Sequence, residues 1–211
     1  MKTTLLPIAL IALVSALPER LDAQTINFDT FPDGSSVTSG TFITNQYASF
    51  NAIFSSTAPG GAKADPLFGE PASPPNFLYG QDPITLAGLY PIVIDFISPI
   101  LGLDLTLISV GDSTVTATAY ASDLTTILDT VSLSHPGTGV GFGAADPITL
   151  DGPSLPSISR VTIEITQLVS GDGFGIDDVS IHPVPEPSVA IFSVIGVIGL
   201  CFRRIRNKRI A

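Results

Sequence analysis

The chain has 211 residues, is 45% hydrophobic and carries a formal charge of −10 at pH 7. Between Thr25 and Pro183 it holds two basic residues, Lys63 and Arg160, against sixteen acidic ones, a formal balance of −14. That length suits one domain with a substantial core, and that charge excludes nucleic acid and anionic lipid as partners of the middle of the chain while attracting divalent cations.

Residues 1–23 read as a secretory signal peptide. Lys2 gives a positive start, Leu5–Val14 a short apolar core, and Ala16 and Ala23 small residues for a signal peptidase. Such an order places a charge on the cytoplasmic side, a short helix in the membrane and a cleavable site beyond it. Cleavage after Ala16 and cleavage after Ala23 both satisfy the small-residue rule.

Residues 24–183 read as β-structure throughout. In Thr25–Phe31, Ile26 and Phe28 alternate onto one strand face, and Pro32-Asp33-Gly34 is turn chemistry. Gln46–Phe54 is the next expected strand. The Pro- and Gly-rich stretch Ala58–Gly80 is expected to be one long loop. Further strands are expected at Ile92–Phe96, Leu101–Val110, Thr114–Ala121, Thr126–Ser134, Pro147–Leu150, Ser159–Thr166 and Gly175–His182. These segments are rich in Val, Ile, Thr, Phe and Tyr and are separated by Gly-Asp-Ser, Ser-Asp and Pro-Gly turns. Short strands at frequent turns predict an all-β, two-sheet antiparallel β-sandwich of jelly-roll type. The segment Asp82–Gly88 recurs as Asp146–Gly152, which is repeated strand-entry chemistry: Pro opens a strand and Gly ends it.

Catalytic patterns find no support in the domain. It has no Gly-x-Ser-x-Gly elbow, no His-Glu-x-x-His and no cysteine, since Cys201 lies near the C-terminus. His135 and His182 read as strand-end residues. The domain is therefore expected to be non-catalytic, and to be stabilised by core burial without disulfides. For carbohydrate, an aromatic face is the usual platform. There is no Trp, so Tyr47, Tyr79, Tyr90 and Tyr120 remain, of which Tyr79 and Tyr90 flank the expected loop and are the preferred ligand-binding candidates.

The segment Gly173–Ile181 contains Ile176-Asp177-Asp178-Val179, and Ile26-Asn27-Phe28-Asp29 stands near the start of the domain. This pair resembles the closing and opening strands of jelly-roll domains of the carbohydrate-binding-module kind. The resemblance implies a structural Ca²⁺ held by Asp29 and by Asp177 or Asp178. Carboxylates and loop carbonyls suit a cation that takes 6–8 oxygen ligands.

The last segment, 184–211, opens with Val-Pro-Glu-Pro-Ser. Val189–Phe202 follows as an uncharged run of 14 residues, and then come Arg203, Arg204, Arg206, Lys208 and Arg209. The run is shorter than the typical span of about 20 residues, so it is expected to form a short C-terminal membrane helix, with the basic cluster keeping its end on the cytoplasmic side. Pro185, Glu186 and Pro187, the apolar run and the basic end, in that order, closely resemble the PEP-CTERM sorting domain. That resemblance implies export through the inner membrane of a Gram-negative bacterium and recognition by an exosortase at the Pro-Glu-Pro motif. It also implies association with exopolysaccharide at the cell surface or in the extracellular matrix. The prolines cannot join a helix interior or a central strand, so the motif is expected to be extended. The two expected activities for the domain are a non-catalytic surface or matrix role and calcium-dependent carbohydrate binding.

Overall fold

A computed structural model of the chain describes residues 24–66, 73–81, 88–108, 110–135, 145–153, 157–169 and 173–184. Ala23–Val184 form one compact unit. The expected signal peptide, the sorting motif at Pro185, Glu186 and Pro187, the apolar run and the basic cluster from Arg203 to Arg209 lie outside the described residues. Among the described residues, no helix is long and apolar enough to cross a membrane.

In chain order the strands are β1 (Gln24–Ile26), β2 (Thr41–Phe42), β3 (Ala52–Ser56), β4 (Ala62–Asp65), β5 (Phe77–Gln81), β6 (Gly88–Tyr90), β7 (Ile92–Ile108), β8 (Thr114–Tyr120), β9 (Ile127–Leu133), β10 (Ala145–Asp151), β11 (Ile158–Gln167) and β12 (Gly175–Pro183). Neighbouring strands pair antiparallel in the order β2-β4-β5-β12-β7-β11-β8-β9, with β1 beside β12, β10 and β3 beside β7, and β6 beside β5. The architecture is an antiparallel β-sandwich.

Its organising element is β7. Ile92–Phe96 pairs with β3 on one side and β11 on the other, whereas Gly102–Ile108 lies between β10 and β12. One strand therefore serves both layers. Ile92, Ile94 and Phe96 point inward before the bend, and Leu103, Leu105 and Leu107 after it. The sequence suggested two strands here because Ser98-Pro99 interrupts the alternation and Pro cannot donate to a ladder. Asn51 supplies the missing pairing: its Nδ2 donates to Ser98 O at 2.7 Å and its Oδ1 accepts from Ser98 N at 2.7 Å. Asn51 also occupies the left-handed region at φ 69°, which a short polar side chain tolerates.

The core lies between the layers. Val115, Ala117 and Ala119 of β8, Val161 and Ile163 of β11, and Ile176, Val179 and Ile181 of β12 all contribute to it. The strict alternation Thr-Val-Thr-Ala-Thr-Ala-Tyr in β8 sends each apolar residue inward and leaves the threonines outside. At one end Phe28, Tyr47 and Phe54 pack edge to face, with centroids 5.3–6.0 Å apart, and Tyr47 donates its buried hydroxyl to Thr30 O at 3.0 Å.

Three further expectations are corrected. The first strand ends at Ile26, because Phe28 turns the chain at φ 57°; its side chain reaches the core from that turn. The strand expected at Gln46–Phe54 begins with a turn of 3-10 helix over Ala48–Phe50 and becomes extended only at Ala52. The stretch Ala58–Gly80 is not one loop: it contains β4 and most of β5, paired with each other from Ala62↔Gly80 to Asp65↔Phe77. Ala62, Ala64 and Leu78 are inward residues on these strands. Proline and glycine at their ends masked a short alternating pattern.

Candidate functional site

The site forms where three distant segments meet: the turn after β1, the segment Ser73–Asn76 leading into β5, and a bulge in β12. The bulge is built by Asp177 and Asp178. Against β7 the register shifts between Asp177 and Ser180, and Asp178 adopts φ 47°. Such a bulge re-aims side chains that a regular strand would alternate. Asp177 becomes fully buried there.

Ser73 and Asp178 satisfy Asp177 in part. Ser73 N donates to Oδ2 at 2.8 Å, Ser73 Oγ reaches both oxygens at 3.1–3.2 Å, and Asp178 N donates to Oδ1 at 2.8 Å. Burial nevertheless dominates and pushes the Asp177 carboxyl up to about 7. The hydrogen bonds oppose that shift, while the neighbouring Asp178 charge adds to it. Asp29 accepts from Asn76 N at 2.8 Å through Oδ1. It too is raised, first by burial and also by the charge of Asp178, against the hydrogen bonds from Asn76.

Asn76 joins these parts. It is buried, and its Nδ2 donates to Phe28 O and Val37 O, each at 3.3 Å. Its Oδ1 is buried and takes no hydrogen bond. An unmet buried acceptor costs free energy. The domain's two basic side chains are committed elsewhere: Lys63 stands 3.2 Å from Asp65, and Arg160 forms a two-point pair with Asp95 at 2.6 and 3.0 Å.

The structure thus places Asp178 near enough to Asp29 and to Asp177 for its charge to raise both carboxyls. Among the described residues, no three carboxylate, imidazole or thiolate groups form a preassembled metal centre. Asn76 Oδ1 is the buried amide acceptor beside this group that takes no hydrogen bond. Ser73 and Asn76 were hidden to sequence reading within the expected loop. Asn after Pro-Pro, just ahead of an apolar strand, is the only local sign of them.

The tyrosine candidates separate. Tyr79 is fully buried and packs on Phe77, with centroids 5.8 Å apart, so its ring offers no open face for stacking, contrary to expectation. It is inward on a paired strand rather than at the rim of a loop. Tyr47 is likewise a core residue. Tyr90 and Tyr120 are half-buried. His135 and His182 sit near strand ends as expected, each with Nε2 at 2.9 Å from a carboxylate, Asp146 and Asp104 respectively. Asp172 lies outside the described residues.

No protein-family model matches the chain, and no curated protein matches it. Solved structures do. A cleaved adhesin domain of Lys-gingipain aligns with 75% of this chain and 98% of its own, at TM-score 0.47 and 10% identity. A mutant carbohydrate-binding module of family 29 aligns with 77% of this chain and 92% of its own, at TM-score 0.39 and 11% identity. An arabinose-bound α-L-arabinofuranosidase aligns with 77% of this chain but 26% of its own, at TM-score 0.44 and 17% identity.

Proposed function

We propose that the chain is an exported, non-catalytic β-sandwich that passes through an inner-membrane-anchored precursor and is sorted by an exosortase to the cell surface or extracellular matrix, in association with exopolysaccharide. The observation that carries this reading is the ordered C-terminal trio of Pro185-Glu186-Pro187, apolar run and basic cluster, behind a compact domain that ends at Val184. Arg203, Arg204, Arg206, Lys208 and Arg209 act as the stop that holds the precursor's end on the cytoplasmic side. Replacing Pro185 and Pro187 by Ala is expected to leave the precursor in the inner-membrane fraction. Wild-type yield of the processed form from that variant would rule out a role for the motif.

A second reading, favoured by the buried Asp177 and Asn76 Oδ1, makes the domain a calcium-dependent carbohydrate-binding module. Asp29, Asp177, Asp178 and Asn76 Oδ1 are hard oxygen donors, and a divalent cation supplies the positive charge that their burial lacks. Its role is structural: it holds the segment Ser73–Asn76 against β12 and the turn at Phe28. The purified chain is expected to be retained by a polysaccharide in Ca²⁺ and released by chelator. Equal retention under both conditions would remove calcium from the mechanism, and no retention on any polymer would leave the surface role alone.

A further inference from the structure

The turn between Phe28 and Val37 also walls a second site. It is closed by hydrogen bonds from Gly34 N to Phe31 O and from Phe31 N to Ser35 O, at 2.9 and 2.8 Å. Phe31, Pro32 and Asp33 of this turn, with Gln46 and Ser49, line an open cleft of about 540 Å³. That lies within the roughly 300–1,000 Å³ of small-ligand sites.

Three of the wall residues, Phe31, Asp33 and Gln46, are held in place. Phe31 is half-buried and its ring lies 5.9 Å from Tyr47, which packs in turn on Phe28, Phe50 and Phe54. Asp33 accepts Ser35 N at 2.9 Å and Ser35 Oγ at 2.6 Å, both at Oδ1. Those bonds hold its carboxyl below the usual carboxylate range, so it is ionised at neutral pH. Gln46 accepts Thr44 N at 2.6 Å through Oε1 and donates to Phe42 O at 2.9 Å through Nε2. The amide plane is thereby fixed, and Nε2 retains a second proton to donate. Ser49 is an exposed hydroxyl on the 3-10 turn.

We propose that this cleft binds a neutral pyranose unit of a polysaccharide. The proposal rests on the carbohydrate-binding reading and gives that reading a location. A sugar ring has an apolar C–H face and a rim of hydroxyls, and the cleft offers the matching pair. Phe31 and Pro32 take the face. The Asp33 carboxylate accepts from ring hydroxyls through charge-assisted bonds, and Gln46 Nε2 and Ser49 Oγ serve the remainder. The charge of Asp33, within a domain whose formal balance is −14, repels uronic acids and other anionic sugars.

The test is affinity electrophoresis of the full chain in mild detergent, with Ca²⁺, through gels carrying a neutral glucan, a neutral galactomannan or a polyuronate. Wild type is expected to be retarded by a neutral polymer and not by the polyuronate. Asp33→Asn keeps an Oδ1 acceptor for Ser35 and removes the charge, and Ser49→Phe fills the cleft from an exposed position. Each is expected to weaken retardation about tenfold, and Leu168→Ala, at an exposed position outside the cleft, to leave it unchanged. Phe31→Ala should act in the same direction, but it also strips a ring packed on the core, so the other two variants decide. Undiminished retardation of both variants would overturn the cleft and leave the carbohydrate reading standing on another surface. Wild type unretarded by every polymer would overturn both.

Discussion

In chelator, the protein is expected to lose stability as pH rises from about 4 to about 7, and Ca²⁺ is expected to reverse that trend. The group responsible is Asp177, fully buried, with its carboxyl pushed from 3.8 up to about 7. Across that window the folded chain holds a proton that the unfolded chain has released. Stability from this group is therefore fully present below the unfolded value and is lost as pH rises through the folded one. The full shift corresponds to roughly 4 kcal/mol. Asp29 is raised in the same direction. Asp33 and Asp123 are held below the ordinary range, Asp123 at about 2, so their contribution is lost only as pH falls below about 4, outside the window. A bound divalent cation needs the carboxylates ionised, so with Ca²⁺ the slope changes sign. Urea midpoints measured from pH 4 to 8, with chelator and with Ca²⁺, read both effects. Asp177→Asn cannot titrate and should remove most of the chelator slope, leaving the part that belongs to Asp29, while abolishing the calcium effect. A wild-type profile that matches that of Asp177→Asn in both media would sink the assignment.

Gly175→Ala is expected to cost about 3 kcal/mol, at the upper end for an overpacked core. A Cβ at Gly175 would stand 2.2 and 2.5 Å from two ring atoms of Phe77 and 3.1 Å from Leu78 O. Phe77 is fully buried beside Tyr79 and Ile108, so its ring can give way only by displacing core neighbours. The backbone contact is equally fixed, because Ile176 pairs with Leu78 one residue on and Gly175 pairs with Ile108. Relief requires separating β12 from β5, and these are the strands that bring Asp177 to the segment Ser73–Asn76. The substitution should therefore weaken calcium stabilisation as well as lower the denaturation midpoint. A loss under about 0.5 kcal/mol, the ordinary range for surface changes, would show that the Phe77 ring is free to move.

The readable and unreadable parts of the fold divide by physical origin. β8, β9, β11 and β12 were legible to within a residue or two at their ends, because each is a run of β-forming residues bounded by turn residues, with a period-two pattern clearest in β8 and β11, and these signals are local. β4 and β5 were not, since their identity depends on pairing with each other, while their flanks hold the Pro and Gly of a loop. The continuity of β7 through Ser98-Pro99 was illegible for the same reason. It depends on the Asn51 side chain, forty-seven residues away in sequence.

The candidate residues divide likewise. Asp29 and Asp177 or Asp178 are singled out in the sequence by a resemblance of the opening and closing segments to carbohydrate-binding-module domains, and antiparallel pairing of β1 with β12 brings those segments together. Tyr79 was named from its nearness to a stretch that looked like a loop, and strand pairing instead turned it inward. Ser73, Asn76 and the grouping of Phe31, Asp33, Gln46 and Ser49 carry no sequence spacing that announces them.

Composition and order along the chain were enough to specify an acidic all-β domain, because charge balance and alternation are properties of neighbouring residues. Which aspartate loses its water, which tyrosine loses its open face and which side chains share a cleft were decided by the fold. Burial and convergence depend on contacts between segments far apart in sequence: Ser73 meets Asp177 across 104 residues, and Asn76 meets Asp29 across 47.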